Sequence, residues 1–243
     1  MKNALREIVV SVGPSVLPSN ILLEKLLAIS LLTRNYAKVF STRRYKTREE
    51  MWRSGLDKLL SSQIIYLEFG VWRGNSINYI ASIVSDANAR FFGFDSFEGL
   101  PENWETMART NDAGMFSLDG ISPRCSDARV NFVKGWFQDT VPEFIGTLQI
   151  DSYETLVVHY DADLYSSTLL CLMSVDRLKK KYLAIFDEFP GHETRALYNY
   201  QQATGAQVEF IGRVGPSRRY PWQVMAWITP QSHYCLRVPG SGA

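Results

Sequence analysis

Two short acidic segments have a spacing that suits chemistry at an oxygen atom. Asp161 and Asp163 form an Asp-Ala-Asp sequence, and Asp187 is followed directly by Glu188. Each segment follows an apolar run, which is typical of a strand buried on both faces of a parallel sheet. Because the carboxyl ends of parallel strands meet at one edge of a sheet, we expect the four carboxylates to lie together there.

Four carboxylates in one crevice repel one another strongly unless a cation lies among them. Hard oxygen donors favour Mg²⁺ over zinc, with Mn²⁺ or Ca²⁺ as alternatives. A dication lowers the pKa of a bound hydroxyl and orients it, and a carboxylate outside the ligand shell can accept the proton. We expect Asp163 to be that base. The alternative is that the four acids only cap separate turns.

A turn that contains two glycines follows an earlier apolar run. It reads Glu-Phe-Gly-Val-Trp-Arg-Gly-Asn-Ser over residues 68–76 and leads into an apolar helical stretch. Glycine lets the backbone approach a ligand closely, and a helix N-terminus offers unpaired N–H groups. The turn differs from a G-x-G-x-x-G sequence, and alone it is a weak signal. The residues that we assign to a cofactor site here are Glu68, Phe69, Gly70, Gly74, Asn75 and Ser76.

The next apolar run ends at Asp95, where nucleotide-binding folds accept ribose hydroxyls. Asp95 lies about 25 residues beyond Gly70, close to the usual offset, although it could instead cap the turn at Ser96. Trp136 and Phe137 could flank an adenine or belong to the core. We assign all four to an adenosine-containing cofactor. Since no Arg or Lys is clearly placed for a pyrophosphate, S-adenosylmethionine (SAM) suits the polar turn best.

The elements that position these residues alternate between short apolar strands and helical stretches. Two later strands are separated by too few residues for a crossover helix, so they are expected to pair antiparallel. This pattern predicts an α/β, Rossmann-like fold with a central seven-stranded, mostly parallel sheet and an antiparallel final strand. The predicted strands are residues 64–69, 90–94, 130–133, 155–160, 182–186, 208–211 and 222–228.

The first 60 residues have a different character, helical and irregular, and they include the basic stretch 43–46. Thr47 and Glu50 form a capping-box pattern that predicts a helix start. We expect residues 1–60 to be an N-terminal helical extension or lid, and residues 61–243 to be the catalytic domain. Residues 104–123 lack periodicity and exceed the usual length of a connector, which favours a lid over a disordered insertion.

The composition of the chain limits the kinds of partner that it is expected to bind. The 243 residues carry a formal net charge of +1, so no broad field is available to hold nucleic acid or an anionic membrane. The apolar runs at 8–12 and 21–32 are too short to cross a membrane. Cys125, Cys171 and Cys235 form no disulfide framework, which favours a reducing cytoplasm. We therefore expect a small-molecule substrate.

Histidines are scarce in this chain, which has three of them. His159 lies within an apolar run, so we interpret it as a packed core residue. His192 follows the second acidic segment and either contacts substrate or is solvated at a helix start.

Taken together, these segments resemble the macrocin O-methyltransferase (TylF-like) family, metal-dependent class I methyltransferases that methylate sugar hydroxyls on antibiotics and related natural products. The resemblance covers most of residues 36–200. The segments that carry it are 43–49, 68–76, 94–101, 135–142, 161–168 and 187–188.

The resemblance implies a role for each matching residue. It implies metal ligation by Asp161, Asp187 and Glu188, general-base catalysis by Asp163, and SAM contacts that include Asp161. It also implies a glycosylated small-molecule acceptor and a homodimer. The family commonly has a tyrosine where this chain has Phe189, so a hydrogen bond from that hydroxyl is absent here.

Four other functions stay open on the sequence. Asp161-Ala162-Asp163 is also the DxD motif of a metal-dependent glycosyltransferase, although the glycine turn and Asp95 then have no role. A nicotinamide dehydrogenase lacks its full glycine fingerprint here. The acceptor hydroxyl could belong to a molecule other than a sugar. A SAM-binding sensor or scaffold would have no need of the acidic cluster.

Overall fold

The apolar runs form strands in the computed structural model, which describes residues 20–106, 108–151 and 154–231. The strands over 64–69, 155–160 and 182–186 are buried almost throughout, whereas those over 130–134 and 207–214 are partly exposed. The strands are β1 (Arg43–Tyr45), β2 (Ile64–Phe69), β3 (Arg90–Asp95), β4 (Trp104–Glu105), β5 (Thr110–Asn111), β6 (Val130–Lys134), β7 (Thr155–Tyr160), β8 (Tyr182–Phe186), β9 (Gln207–Val214) and β10 (Gln223–Thr229). The α-helices are α1 (Asn20–Ser30), α2 (Arg48–Leu56), α3 (Asn75–Ile83), α4 (Phe137–Thr147), α5 (Tyr165–Asp176) and α6 (Thr194–Thr204).

Eight of these strands form one sheet in the order β1-β9-β10-β8-β7-β2-β3-β6. β10 runs antiparallel to both of its neighbours, and the other pairs are parallel. The Rossmann-like α/β fold with an antiparallel final strand is thereby confirmed. β4 and β5 form a separate two-stranded hairpin.

The sheet has eight strands rather than the seven that we predicted, because β1 adds an edge strand. Arg43 to Tyr45 pair in parallel with Gly212 to Val214 of β9. The sequence of β1 is polar and largely exposed, so it carries no apolar run that could reveal a strand. Backbone hydrogen bonding to β9, which depends on the tertiary fold, determines its structure.

Helices cover both faces of the sheet, as a parallel sheet requires. One buried cluster includes Val141 of α4, Cys171 of α5 and Leu197 of α6. The opposite cluster includes Trp52 of α2 and Ile77 of α3. No helix in the described ranges is both long enough and apolar enough to cross a membrane.

The predicted helix start at residue 47 is confirmed. The Thr47 side chain accepts a hydrogen bond from the Glu50 N–H at 3.2 Å, and α2 begins at Arg48. The Glu50 carboxylate accepts from the Lys46 N–H at 3.1 Å, one residue before the cap. This pairing fixes the direction in which the chain passes from β1 into α2.

The segment 104–123 contains the β4–β5 hairpin and is tied to the loop that follows β3. Leu100 and Met115 share a backbone hydrogen bond of 3.0 Å, and the Leu118 N–H donates to the Phe97 carbonyl at 2.9 Å. The apolar run at 8–12 and Cys235 lie outside the described residues, whereas Cys125 and Cys171 are free thiols.

Candidate functional site

The carboxyl ends of the parallel strands open into a cavity of about 870 Å³. Most of the residues that the sequence singled out line it: Gly70, Asn75, Ser76, Asp95, Ser96, Trp136, Phe137, Asp161, Asp163, Asp187 and Glu188. Glu68, Phe69 and Gly74 lie beside the cavity without lining it. The expected cofactor and acidic residues therefore share one crevice.

Gly70 joins the two halves of this crevice. Its φ is 95°, and a Cβ atom there would lie 1.8 Å from the Asp161 carbonyl oxygen. The end of β2 is held between its neighbours, since the Gly70 N–H donates to Phe94 and the Asp161 N–H donates to Phe69. Only glycine allows this close approach of two strand ends.

Glu68 is completely buried beneath the glycine turn. Its carboxylate accepts hydrogen bonds from the Ser76 hydroxyl at 2.7 Å and from the Tyr66 hydroxyl at 2.5 Å. Burial and the nearby Glu68 carboxylate raise the pKa of Tyr66 well above its ordinary value. Through Ser76, Glu68 ties the first turn of α3 to β2 and thereby positions the turn.

Phe69 and Gly74, two residues of the glycine turn that do not line the cavity, each have a structural role. The Phe69 ring packs in the core between the rings of Phe94 and Tyr160. Gly74 is the N-cap of α3, with a φ of 75°. A left-handed φ at this position is favourable for glycine and costly for most other residues.

Asp95 connects the glycine turn to the loop after β3. One carboxylate oxygen accepts from the backbone N–H groups of Val71 and Trp72, at 2.9 and 2.8 Å. The other accepts from the Phe97 N–H at 2.7 Å. Asp95 therefore caps its turn, as the alternative interpretation held, and it also lines the cavity.

Trp136 and Phe137 line the cavity from the start of α4. The Phe137 ring contacts the Phe69 ring edge to face, with centroids 6.1 Å apart. Phe137 is thus partly a core residue, while both aromatic side chains remain half-buried at the edge of the cavity.

The acidic residues form the opposite, chemical end of the cavity. Burial and the charges of Asp187 and Asp163 raise the pKa of Asp161 well above its ordinary value. Burial, then Glu188 and Asp187, raise the pKa of Asp163 in the same way. Carboxylate oxygens of Asp161 and Asp187 lie within 4.8 Å of each other, so the two strand ends bring like charges together.

Asp163 also has an unusual backbone conformation. Its φ of 58° lies in the left-handed region, which costs a non-glycine residue about 1 kcal/mol. The turn is tight, because the Leu164 N–H donates to the Ala162 carbonyl at 2.5 Å. The fold thus holds Asp163 in a strained turn that lines the cavity between β7 and α5.

His159 is fully buried and packs against Trp52, which agrees with its interpretation as a core residue, and it also adjoins this end of the cavity, which the sequence interpretation did not include. Donor atoms of His159, Asp161 and Asp187 lie within 4.8 Å of one another, and Glu188 is not part of that group. The His159 Nε2 lies 3.6 Å from Asp187 Oδ1 and has no hydrogen-bond partner among the described residues. Burial alone would lower the pKa of His159, but Asp187 and Glu68 raise it to about 9.

A signal for His159 was present in the sequence. Residues at i and i+2 of a strand point to the same face, and His159 precedes Asp161 by two positions. This donor set is of a kind that can hold a divalent cation, because two carboxylates meet an imidazole nitrogen, and the imidazole would lose its proton on binding the ion.

Other polar groups around the acids were also absent from the sequence interpretation. Glu193 is 1% exposed, and neither carboxylate oxygen has a hydrogen-bond partner in the described part of the chain. Burial and then the charge of Asp187 raise its pKa. The Gln223 amide donates to Asp187. Glu193 and Gln223 belong to no recognisable sequence motif, so the sequence alone does not single them out.

The segment 104–123 covers the cavity with side chains of its own. Trp104, Arg109, Asn111 and Phe116 line it, and the Phe116 ring contacts the Trp72 ring with centroids 5.4 Å apart. Asn111 is 5% exposed, and its Nδ2 has no partner among the described residues.

His192 lies outside the main cavity. Its Nδ1 accepts a hydrogen bond from the Tyr165 N–H at 3.0 Å, at the start of α5. Burial and then Arg195 lower its pKa. Its observed role is therefore to satisfy a backbone donor of a neighbouring helix.

The strand order, the single antiparallel strand and the crevice at the carboxyl edge define a Rossmann-like class I methyltransferase fold. Residues 43–212 match the macrocin-O-methyltransferase (TylF) family, and the chain belongs to that family.

Two curated relatives from Streptomyces show similarity over part of their length. The chain is 28% identical over 158 residues to 8-demethyl-8-(2,3-dimethoxy-alpha-L-rhamnosyl)-tetracenomycin-C 4'-O-methyltransferase of Streptomyces olivaceus, covering 57% of this chain and 58% of that protein. It is 30% identical over 119 residues to demethyldecarbamoylnovobiocin O-methyltransferase of Streptomyces niveus, covering 42% and 43%. The chain thus spans about half the length of these relatives.

Solved structures of similar extent include two O-methyltransferases. One is from Bacillus cereus in complex with SAH, with a TM-score of 0.48, 11% identity and coverage of 92% of this chain and 97% of that one. The other is TomG from Streptomyces achromogenes in complex with SAM, with a TM-score of 0.46, 10% identity and coverage of 93% and 96%. Similarity at this level does not bear on activity or ligands.

Proposed function

We propose that this protein transfers a methyl group from SAM to a hydroxyl of a glycosylated small molecule, with the help of a divalent metal ion. The observation that carries the proposal is the single cavity in which the glycine turn at 70–76 faces the acidic residues at 161–163 and 187–188. Family membership supports methyl transfer over the glycosyltransferase interpretation of Asp161-Ala162-Asp163.

The cofactor half is proposed to hold SAM above the glycine turn. Asn75 and Ser76 present the N-terminus of α3, where backbone N–H groups favour a carboxylate. Asp95 and Ser96 lie where the ribose would bind, and Trp136 or Phe137 beside the adenine. A volume of about 870 Å³ is near the upper end for ligand cavities, which leaves room for an acceptor as well.

The chemical half is proposed to hold the metal through Asp161, Asp187 and Glu188, with His159 adjoining the first two. A bound dication would lower the pKa of the acceptor hydroxyl and fix its orientation. Asp163 accepts the proton, the hydroxyl oxygen forms a bond to the methyl carbon, and the methyl–sulfur bond breaks to leave S-adenosylhomocysteine. Proximity and charge placement supply most of the acceleration.

The acceptor class and the assembly are further parts of the proposal. Both curated relatives are named for methylation of antibiotic-type molecules, one of them a rhamnosyl compound, which supports a glycosylated natural product.

We propose residues 1–60 as an extension over residues 61–243, which carry the catalytic site. Exposed apolar side chains on α1, among them Ile21, Leu26 and Leu27, support a homodimer. The free thiols Cys125 and Cys171 support a cytoplasmic location.

A methyl-transfer assay over a panel of glycosides and phenols tests this function. We expect transfer from SAM to a glycoside hydroxyl with Mg²⁺, and loss of transfer with a chelator. Separate calorimetric titrations with SAM, NADH and a nucleotide-sugar test the cofactor. Binding of NADH or the nucleotide-sugar without binding of SAM would contradict the proposal.

A further inference from the structure

We propose that the acceptor carries an anionic group, a phosphate or a carboxylate, which binds the basic rim formed by Arg44, Lys46 and Arg48. This inference rests on the proposed function and specifies its substrate class. The three rim residues line the cavity that also contains the acidic chemical end. They come from β1, the first turn of α2 and the residues between them.

A series of contacts connects the chemical end of the cavity to the rim. The Trp222 side chain lies near Glu188, where it opposes the rise that burial causes in the pKa of that carboxyl, and the Trp222 carbonyl accepts a hydrogen bond from the Phe189 N–H at 2.8 Å. From Trp222 the chain folds back onto Gly215, where a Cβ atom would lie 1.8 Å from the Tyr220 carbonyl oxygen. Gly215 in turn accepts two hydrogen bonds from the Arg44 guanidinium, at 3.2 and 2.9 Å.

The positive charge of the rim is only partly compensated by neighbouring carboxylates, Glu49 beside Arg48 and Glu50 beside the Lys46 backbone. Arg44 and Lys46 form no ion pair with a carboxylate in the described ranges, while Arg48 pairs with Glu49 at 3.2 Å. The nearby Arg213 guanidinium is buried, and burial together with Arg44 and Arg218 lowers its pKa. Because the whole chain has a net charge of only +1, this local excess of cations is not a consequence of general basicity.

The carboxylate of the cofactor does not explain the rim. Arg73 stacks over the Trp72 ring at 4.5 Å within the glycine turn, so a separate cation stands at the cofactor end. The rim is reached from the acid cluster across Tyr220 and Trp222, both of which line the cavity. An acceptor whose hydroxyl lies at Asp163 can therefore extend over these two aromatic side chains and place an anion at Arg44 and Lys46.

Calorimetry on the full chain saturated with S-adenosylhomocysteine tests this inference, with glucose, glucuronate and glucose 1-phosphate as probes. We expect one anionic sugar to bind about tenfold more tightly than glucose, the usual effect of a hydrogen bond to a charged group. A preference for glucuronate would identify a carboxylated acceptor, and a preference for glucose 1-phosphate a phosphorylated one. Lys46→Met should abolish the preference.

Lys58→Met is the matched control, because it removes the same charge from an exposed residue outside the cavity. The preference should persist in this variant and in the presence of a chelator. Three results would overturn the inference: no preference or no binding with any probe, equal loss in both variants, or a preference that the chelator removes while Lys46→Met retains it. Failure to bind S-adenosylhomocysteine would instead refute the proposed function.

Discussion

The two ends of the cavity are built in opposite ways. At the cofactor end, each oxygen of the Asp95 carboxylate accepts backbone hydrogen bonds, and the Glu68 carboxylate accepts two hydroxyl hydrogen bonds. At the chemical end, burial and then neighbouring carboxylates raise the pKa values of Asp161 and Asp163, and among the described residues His159 Nε2 is buried without a hydrogen-bond partner. The first end is satisfied by hydrogen bonds within the protein, whereas the second brings carboxylates close together, and the proposed dication would balance their charge there.

This difference indicates that the two ends of the cavity have different roles. A satisfied hydrogen-bond network is rigid and holds the glycine turn in a geometry ready for SAM. Carboxylates that lie close together in a buried site repel one another, and the dication proposed above would relieve that repulsion. The cofactor end should therefore respond to changes in hydrogen bonding, and the chemical end to changes in charge.

The largest expected effect is on turnover at the chemical end. Asp163→Asn should lower kcat by about 10² to 10⁴-fold, the usual contribution of a general base, without changing SAM affinity. Asparagine tolerates the left-handed backbone, so the turn is retained. Asp119→Asn is the matched control, because Asp119 has a similar φ of 53° and lies outside the cavity. Equal kcat values for both variants would remove Asp163 from the mechanism.

Gly70 lies where the two ends of the cavity meet, and a substitution there should lower the free energy of unfolding strongly. Gly70→Ala places a Cβ atom against the Asp161 carbonyl and should lower the free energy of unfolding by about 3 kcal/mol or more. Gly114→Ala should cost only about 1 kcal/mol, since Gly114 has a φ of 81° but open space around it. Chemical denaturation of both variants measures this difference, and similar losses would show that the close approach of strands is unimportant.

A smaller effect is expected where Asp95 accepts its hydrogen bonds. Asp95→Asn replaces one accepting oxygen by an amide and should lower the free energy of unfolding by about 2 kcal/mol and weaken SAM binding. The loss should be the same with and without Mg²⁺, because the cofactor end is satisfied by the protein itself. A loss that Mg²⁺ reverses would break the distinction between the two ends.

The smallest effect should have the opposite sign. Without metal, Asp161→Asn removes one of several repelling charges and should raise the melting temperature by about 2–4 °C, equivalent to about 1 kcal/mol in a chain of this size. With Mg²⁺, the wild-type protein should gain stability and the variant should not. Differential scanning calorimetry with and without Mg²⁺ measures both effects. Destabilisation of the metal-free variant would show that the cluster is balanced without a cation.

Much of the candidate site was predictable because its residues lie at strand ends. Asp161, Asp163, Asp187 and Glu188 follow two apolar runs, and parallel strands necessarily bring such positions to one edge. Asp95 and the glycine turn were predictable for the same reason. His159 was placed in the core, although its spacing from Asp161 contained the signal that both share a face.

The sequence by itself determined how the main strands and helices alternate along the chain, where α2 is capped by Thr47, and at which edge of the sheet the acids meet. These features depend on local periodicity and short-range hydrogen bonds. Only the tertiary structure decided that β1 joins the sheet, that Glu68 is buried beneath the turn and that Glu193 lies near Asp187. Those features depend on contacts between distant segments, and no local pattern specifies which distant atoms will meet.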